Sequence, residues 1–304
     1  MSCSCDVSLS NTGRPNCQPI QSVTKSIFVV QKYAADGSLN FIDTTDTFNA
    51  AYFTARINDA DPTKRWYPIT GIKNVAVTKA DSIFENFDDA SKIFIREGLK
   101  SFTGIIPSAD PTFLGKIKGL RCAEFGVYVV DKDGNLIGSS TNTTELYPIM
   151  VDAASWNPVL VSATDTTIQK IALNYDYSID ELDENLQMIL ASDITGVNLL
   201  TIEGLLDVYS AYSVISTTSF KAKLTTSYGS IVNKQVVKGL VAADFALYNV
   251  DDSASVTILT AVESPAGTYT FTFAAQGSGE DLRLTPTKNG YDFSSVVASL
   301  ISIP

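Results

Sequence analysis

Not one of the 304 residues is histidine. Imidazole is the side chain most used as a general base and metal ligand near neutral pH. Its absence excludes Ser-His-Asp and Cys-His triads and points away from an enzyme, although paired carboxylates and lysine remain as possible chemistry. Cysteine is scarce: Cys3, Cys5, Cys17 and Cys122 are all there is. A disulfide framework spreads its cysteines across the fold, whereas three of these crowd the first 17 residues, so free thiols are expected. Cys3, Cys5, Cys17 and Cys122 could together clamp zinc, but their spacing matches no zinc-ligand pattern. No metal and no cofactor is therefore assigned.

Positive charge is also short. Lys and Arg number 22 against 33 Asp and Glu, for a net charge of −11. Non-specific DNA binding depends on neutralising phosphates with cations, so this surface is expected to let DNA pass without holding it. No run approaches the roughly 20 apolar residues of a membrane-spanning helix. The opening MSCSCDVSLSNTGRPNCQP has no apolar signal core. The expectation is a chain without a membrane span, made in the cytoplasm of its cell.

What is present is strand-forming. Apolar residues make up 45% of the chain, with Val, Ile, Thr, Tyr and Phe abundant, which favours a mainly β protein with a packed core. Residues 1–22, polar and broken by Gly13, Pro15 and Pro19, read as an extended arm. Ser26–Lys32 reads as a strand ending at an Asp36-Gly37 turn. Residues 43–62 predict a helix capped by Thr45 or Asp46, with Phe48, Tyr52 and Ala55 on one face. Asp88-Asp89 divides Ile83–Phe87 from Lys92–Arg96 as a hairpin does, and Gly98 and Gly104 mark bends or bulges. Asp110 and Pro111 open a short helix over 110–120. Strands follow over 124–130, 145–151 and 166–177, with a tight turn at 131–135. Asp180–Ala191 predicts a helix with acids at its start.

From about residue 211 short strands recur between SYGS, DDSAS, ESPAG and KNG turns, the pattern of a small Ig-like β-sandwich without a disulfide. Tyr269, just after Gly267, stands where a tyrosine corner is expected. The domain reading is an arm (1–22), a β domain of barrel or sandwich type with one or two flanking helices (23–210), and the sandwich (211–304).

Few residues suggest chemistry. Asp131-x-Asp133-Gly134-Asn135 has calcium-loop composition, but its glycine is misplaced for an EF-hand and no distal Glu follows, so it reads as a hairpin turn. Asp180, Glu181, Asp183 and Glu184 form either a carboxylate site or a solvated helix start. Lys116, Lys118 and Arg121 read as an exposed basic stripe, and Gly115 and Gly119 lack phosphate-loop spacing. Trp66 and Trp156 read as core anchors. Arg96 and Glu97 either pair across a subunit boundary or face water. With no catalytic constellation, function falls to surfaces, and Cys3, Cys5, Cys17, Arg96 and Glu97 are the candidate interface residues.

The segments Lys79-Ala-Asp-Ser-Ile-Phe-Glu-Asn-Phe, Ile93-Phe-Ile-Arg-Glu-Gly, Ser101-Phe-Thr-Gly, Leu114-Gly-Lys-Ile, Arg121-Cys-Ala-Glu-Phe-Gly-Val-Tyr-Val-Val-Asp and Asn135-Leu-Ile-Gly resemble structural proteins of tailed phages that infect gut Bacteroidales. The organisation is similar to tail-tube proteins that carry a C-terminal Ig-like domain. The resemblance implies a virion protein, self-assembled as a ring or stacked rings beside other virion proteins, through which DNA passes. A capsid decoration, auxiliary or head-fibre protein, or a carbohydrate-binding adhesin, is the alternative.

Overall fold

The computed structural model describes residues 12–13 and 18–304. Cys3, Cys5 and Cys17, and most of the expected 1–22 arm, lie outside the described residues, as does the side chain of Cys122. The chain is mainly β with a few short helices: α1 (Ala50–Ile57), α2 (Pro111–Lys118) and α3 (Ser294–Val297).

The N-terminal part is organised around two antiparallel strands, Thr24–Gln31 and Phe125–Asp131, at the centre of a six-stranded sheet. Their side chains alternate between two cores. Ile27, Val29, Phe125, Val127 and Val129 point to one face and pack against Phe102, Ile171, Leu173 and Tyr175. Phe28, Val30, Tyr128 and Val130 point to the other and pack against Phe53 and Ile57 of α1. Strands buried on both faces need apolar residues at every position rather than at alternate ones, which is why SIFVV and FGVYVV are unbroken runs. Three layers result: an outer sheet, the central sheet, and α1 with the chain around Leu199.

The outer sheet has the order Asn157–Val161, Lys170–Asp176, Lys100–Pro107, Lys73–Lys79. Ile171, Leu173 and Tyr175 alternate inward. Trp156 is fully buried, stacked on Tyr175 at 5.2 Å and edge-on to Phe125. Its indole N–H donates to Ile117 O at 2.8 Å, tying α2 to this core. Trp66 performs the same service on the opposite face, against Phe28, Phe53 and Tyr128. Both tryptophans are core anchors, as expected.

The C-terminal part is a two-sheet sandwich. One sheet runs Ile258–Glu263, Thr268–Phe273, Ser219–Gly229, Leu206–Ser216; the other runs Ala254–Val256, Phe245–Asn249, Asp281–Pro286, Leu300–Ser302. Phe220, Phe271, Leu282, Leu284 and Val296 fill the space between. The strand Leu206–Ser216 spans residue 211 and belongs wholly to this sandwich.

Several local expectations are corrected. Helix α1 starts later than expected and is capped by Asn49, whose side chain accepts from Tyr52 N at 3.0 Å; Thr45 is instead bound to Asp43. Its buried face is Phe53 and Ile57, while Ala55 is exposed. Asp180–Ala191 is not a helix. Leu186–Ile189 is a strand on the edge of the central sheet, paired with Leu136–Ser139. Within the sandwich, Ala254–Val256 and Ile258–Glu263, only one residue apart, belong to opposite sheets. Residues 145–151 likewise form two short strands, Glu145–Leu146 and Ile149–Met150, bent at Pro148. Tyr269 is fully buried, and its hydroxyl donates to Val237 O at 3.0 Å and accepts from Leu240 N. The tie spans some 30 residues, much longer than a tyrosine corner's local loop. At α2 the Asp110 cap and Pro111 start stand as expected, with Asp110 accepting from Phe113 N at 2.8 Å.

Replacing Trp156 with Ala removes the contact shared by both sheets and α2. The expected loss is about 3–5 kcal/mol of unfolding free energy, read as a lowered urea midpoint. A loss below 1 kcal/mol would mean that Trp156 does not carry this junction.

Candidate assembly surface

The strands Lys73–Lys79 and Lys100–Pro107 continue past the core as a hairpin, Ile83–Asn86 paired with Lys92–Arg96. Gly98 makes the junction: a Cβ there would lie 1.7 Å from Ala80 O, and Ala80 N donates to Leu99 O at 2.9 Å. Only glycine allows the two chains to pass so closely while bending. At the tip, Asp89 accepts from the backbone N–H of Ser91 at 2.9 Å and from its hydroxyl, and Ala90 adopts a left-handed φ of 67°.

The ribbon has no core of its own. Phe84 faces Phe94 across the strands, with ring centroids 5.6 Å apart. Glu85 faces Ile93 on the opposite side, and the register shift beside Ile83 bulges Ile95 outward. Ile83, Phe84, Phe87, Ile93, Phe94 and Ile95 remain between 41% and 57% exposed. Two-stranded ribbons are marginal by themselves in water, and contiguous exposed apolar surface marks a contact site. Covering each half-exposed side chain would gain roughly 1 kcal/mol.

Polar groups fix its root. Asp183 binds Lys100 Nζ at 2.7 Å and Lys79 Nζ at 3.1 Å, and Lys79 also reaches Glu97 at 3.1 Å. The hydrogen bond from Lys100, with that from Lys79, holds the Asp183 carboxyl below the usual carboxylate range despite partial burial. Asp183, then Glu97, raises the Lys79 ammonium above its ordinary value. Beneath them Tyr177 is pushed up to about 12 by burial and stays neutral.

The candidate residues thus separate. Glu97 pairs within its own chain and accepts from Ser82 Oγ at 3.2 Å. Arg96 is exposed on the ribbon with no ion pair among the described residues. Of the acids at 180–184, Asp183 braces the ribbon, and Glu181 accepts from Met150 N at 2.9 Å. Of the basic stripe, Lys118 and Arg121 are exposed as expected, though Arg121 Nε donates to Trp156 O at 2.6 Å, while Lys116 is half-buried, binds Asp207 at 2.6 Å and sits over the Tyr228 ring. Asp131 is fully buried. Burial raises its carboxyl pKa, but N–H donors from Asn135, Ser22 and Asp133 outweigh it and hold the group below the usual carboxylate range. Those donors occupy the oxygens a cation would need, so the loop is a hairpin turn. No group of three metal-ligating side chains is assembled among the described residues.

The apolar ribbon residues were legible as a pattern: IF, NF and IFI runs lack the alternation of a half-buried strand. No family model matches this chain, and no curated protein and no solved structure matches it.

The Asp183 brace has a defined pH window. A depressed carboxyl pKa stabilises above the unfolded-state value near 4 and is lost as pH falls through the lower folded value; the raised Lys79 pKa loses its contribution only as pH rises past the lysine range. Hydrogen exchange should show ribbon amides opening a few-fold faster at pH 3 than at pH 6, after correction for intrinsic rates. Asp183→Ala should bring that faster opening to pH 6. Equal protection in all three conditions would remove the brace.

Proposed function

We propose that this chain is a structural subunit of a phage virion that self-assembles into a symmetric tail tube or tail ring through which the genome passes. The observation that carries the reading is the ribbon at 83–96. It is apolar on both faces, braced at its root and uncovered in the single chain. Charges at Glu85, Asp88, Asp89, Lys92 and Arg96 flank its apolar side chains but leave six of them 41% to 57% exposed, an edge open to pairing with another chain. In a closed ring each subunit presents the same ribbon to its neighbour, so every copy is covered once.

Two further observations support it. The net charge of −11 repels a phosphate backbone, which suits a conduit more than a DNA-binding surface. The strand order of the C-terminal sandwich, with Leu206–Ser216, Ser219–Gly229, Thr268–Phe273 and Ile258–Glu263 in one sheet, supports reading it as an Ig-like module set beside the assembling domain. Both tryptophans are buried, so neither serves as the glycan platform that an adhesin reading would draw on. No helix is long and apolar enough to cross a membrane among the described residues.

Negative-stain microscopy of the concentrated protein tests this. Closed rings or stacked tubes are expected from the unaltered chain, and dispersed particles from a Phe84→Ser/Phe94→Ser double variant with an unchanged melting temperature. A chain that stays monomeric at high concentration, or a double variant that assembles normally, overturns the proposal.

A further inference from the structure

Between the central sheet, α2 and the C-terminal sandwich lies a cleft of about 670 Å³. Tyr67, Pro68, Phe113, Leu120 and Tyr228 line it, so its walls are largely aromatic and aliphatic. Most of the charge along it is already matched within the chain: Arg65 binds Asp292 at 2.5 Å, and Lys116 binds Asp207 at 2.6 Å. Clefts of roughly 300–1,000 Å³ hold ligands of drug size, which is the bulk of a few residues and not of a hairpin. The occupant suited to this cleft is therefore short, uncharged and partly apolar.

We propose that residues 18–21 of a second copy of the chain, Gln-Pro-Ile-Gln, lie in this cleft. The inference rests on the assembly reading above and adds a second contact to it. Three observations select the segment. It is four residues long and carries no charge. Its apolar side chains are left uncovered by their own chain, with Pro19 exposed and Ile20 81% exposed. Pro19 fixes its own φ and holds Gln18 extended, and extended proline-bearing segments dock in aromatic-lined grooves.

The third observation is reach. Ser22 N donates to Asp131 at 3.0 Å, and Val23 O accepts from Lys132 N at 2.8 Å, which fixes where the segment leaves the body. In the cleft wall Tyr67 stands opposite Val29 of the same strand, roughly 20 Å along it from Ser22. Ile20 is two residues from Ser22 and reaches only about 7 Å. It cannot return to its own cleft, so the cleft it fills belongs to another copy. Segment and cleft are different patches of one surface, and their union is heterologous, as ring closure requires.

The test uses the full chain. Photo-reactive benzoylphenylalanine replaces the exposed Gln21, and this chain is co-assembled with an excess of unaltered, heavy-isotope chain. After illumination, mass spectrometry should find position 21 joined to peptides of a heavy copy that contain Phe113 or Tyr228. Cross-links confined to one copy, or made only to other peptides of the neighbour, overturn the inference. Independently, Ile20→Asp should raise the concentration of half-assembly about tenfold to a hundredfold. The melting temperature of the monomer should not change, because Ile20 is exposed there. If the unaltered chain assembles and Ile20→Asp assembles as readily, this inference fails while the assembly reading survives. An unaltered chain that never leaves the monomer sinks both.

Discussion

Everything in the N-terminal part depends on one antiparallel pair, Thr24–Gln31 against Phe125–Asp131, being buried on both faces. A strand pair in that position satisfies its backbone through its neighbours and leaves side chains on two sides to be covered. Helix α1 covers one side through Phe53 and Ile57, and the outer sheet covers the other through Phe102, Ile171, Leu173 and Tyr175. Trp66 and Trp156, one on each side, are buried in the two cores, where small side chains would leave voids.

That arrangement also sets where cohesion ends. The outer sheet has an inner face on the core, but Lys73–Lys79 at its edge is almost wholly exposed, and its continuation beyond Ala80 lies past the central strands altogether. Ile83–Arg96 is thus cut off from the core by distance, not by polarity. Gly98 lets the ribbon bend away, and the Asp183, Lys79, Lys100 and Glu97 network fixes the direction in which it leaves.

The two parts of the molecule are joined by few but specific contacts. Arg65 meets Asp292 across 227 residues of sequence, and Lys116 meets both Asp207 and Tyr228. The Arg65–Asp292 pair is largely buried, and such a pair adds modest net stability, yet losing one partner leaves a costly lone charge.

Strand content, the central apolar runs, the Asp110-Pro111 helix start, the 131–135 turn and the 88–89 hairpin were all determined by local sequence, because turn chemistry, capping and periodicity act over a few residues. The two-faced apolar pattern of Ile83–Phe87 and Lys92–Arg96 was present there too, but it is shared by a buried strand and an exposed ribbon, and only tertiary structure decides between them. The acid-led segment from Asp180 has helical composition, yet Leu186–Ile189 is a strand because Leu136–Ser139, some 50 residues away, offers it an edge. The Arg65–Asp292 and Lys116–Asp207 pairs, and the cleft they shape, have no local signature at all. Contacts between distant residues belong to the packing of whole layers, and no window of sequence contains them.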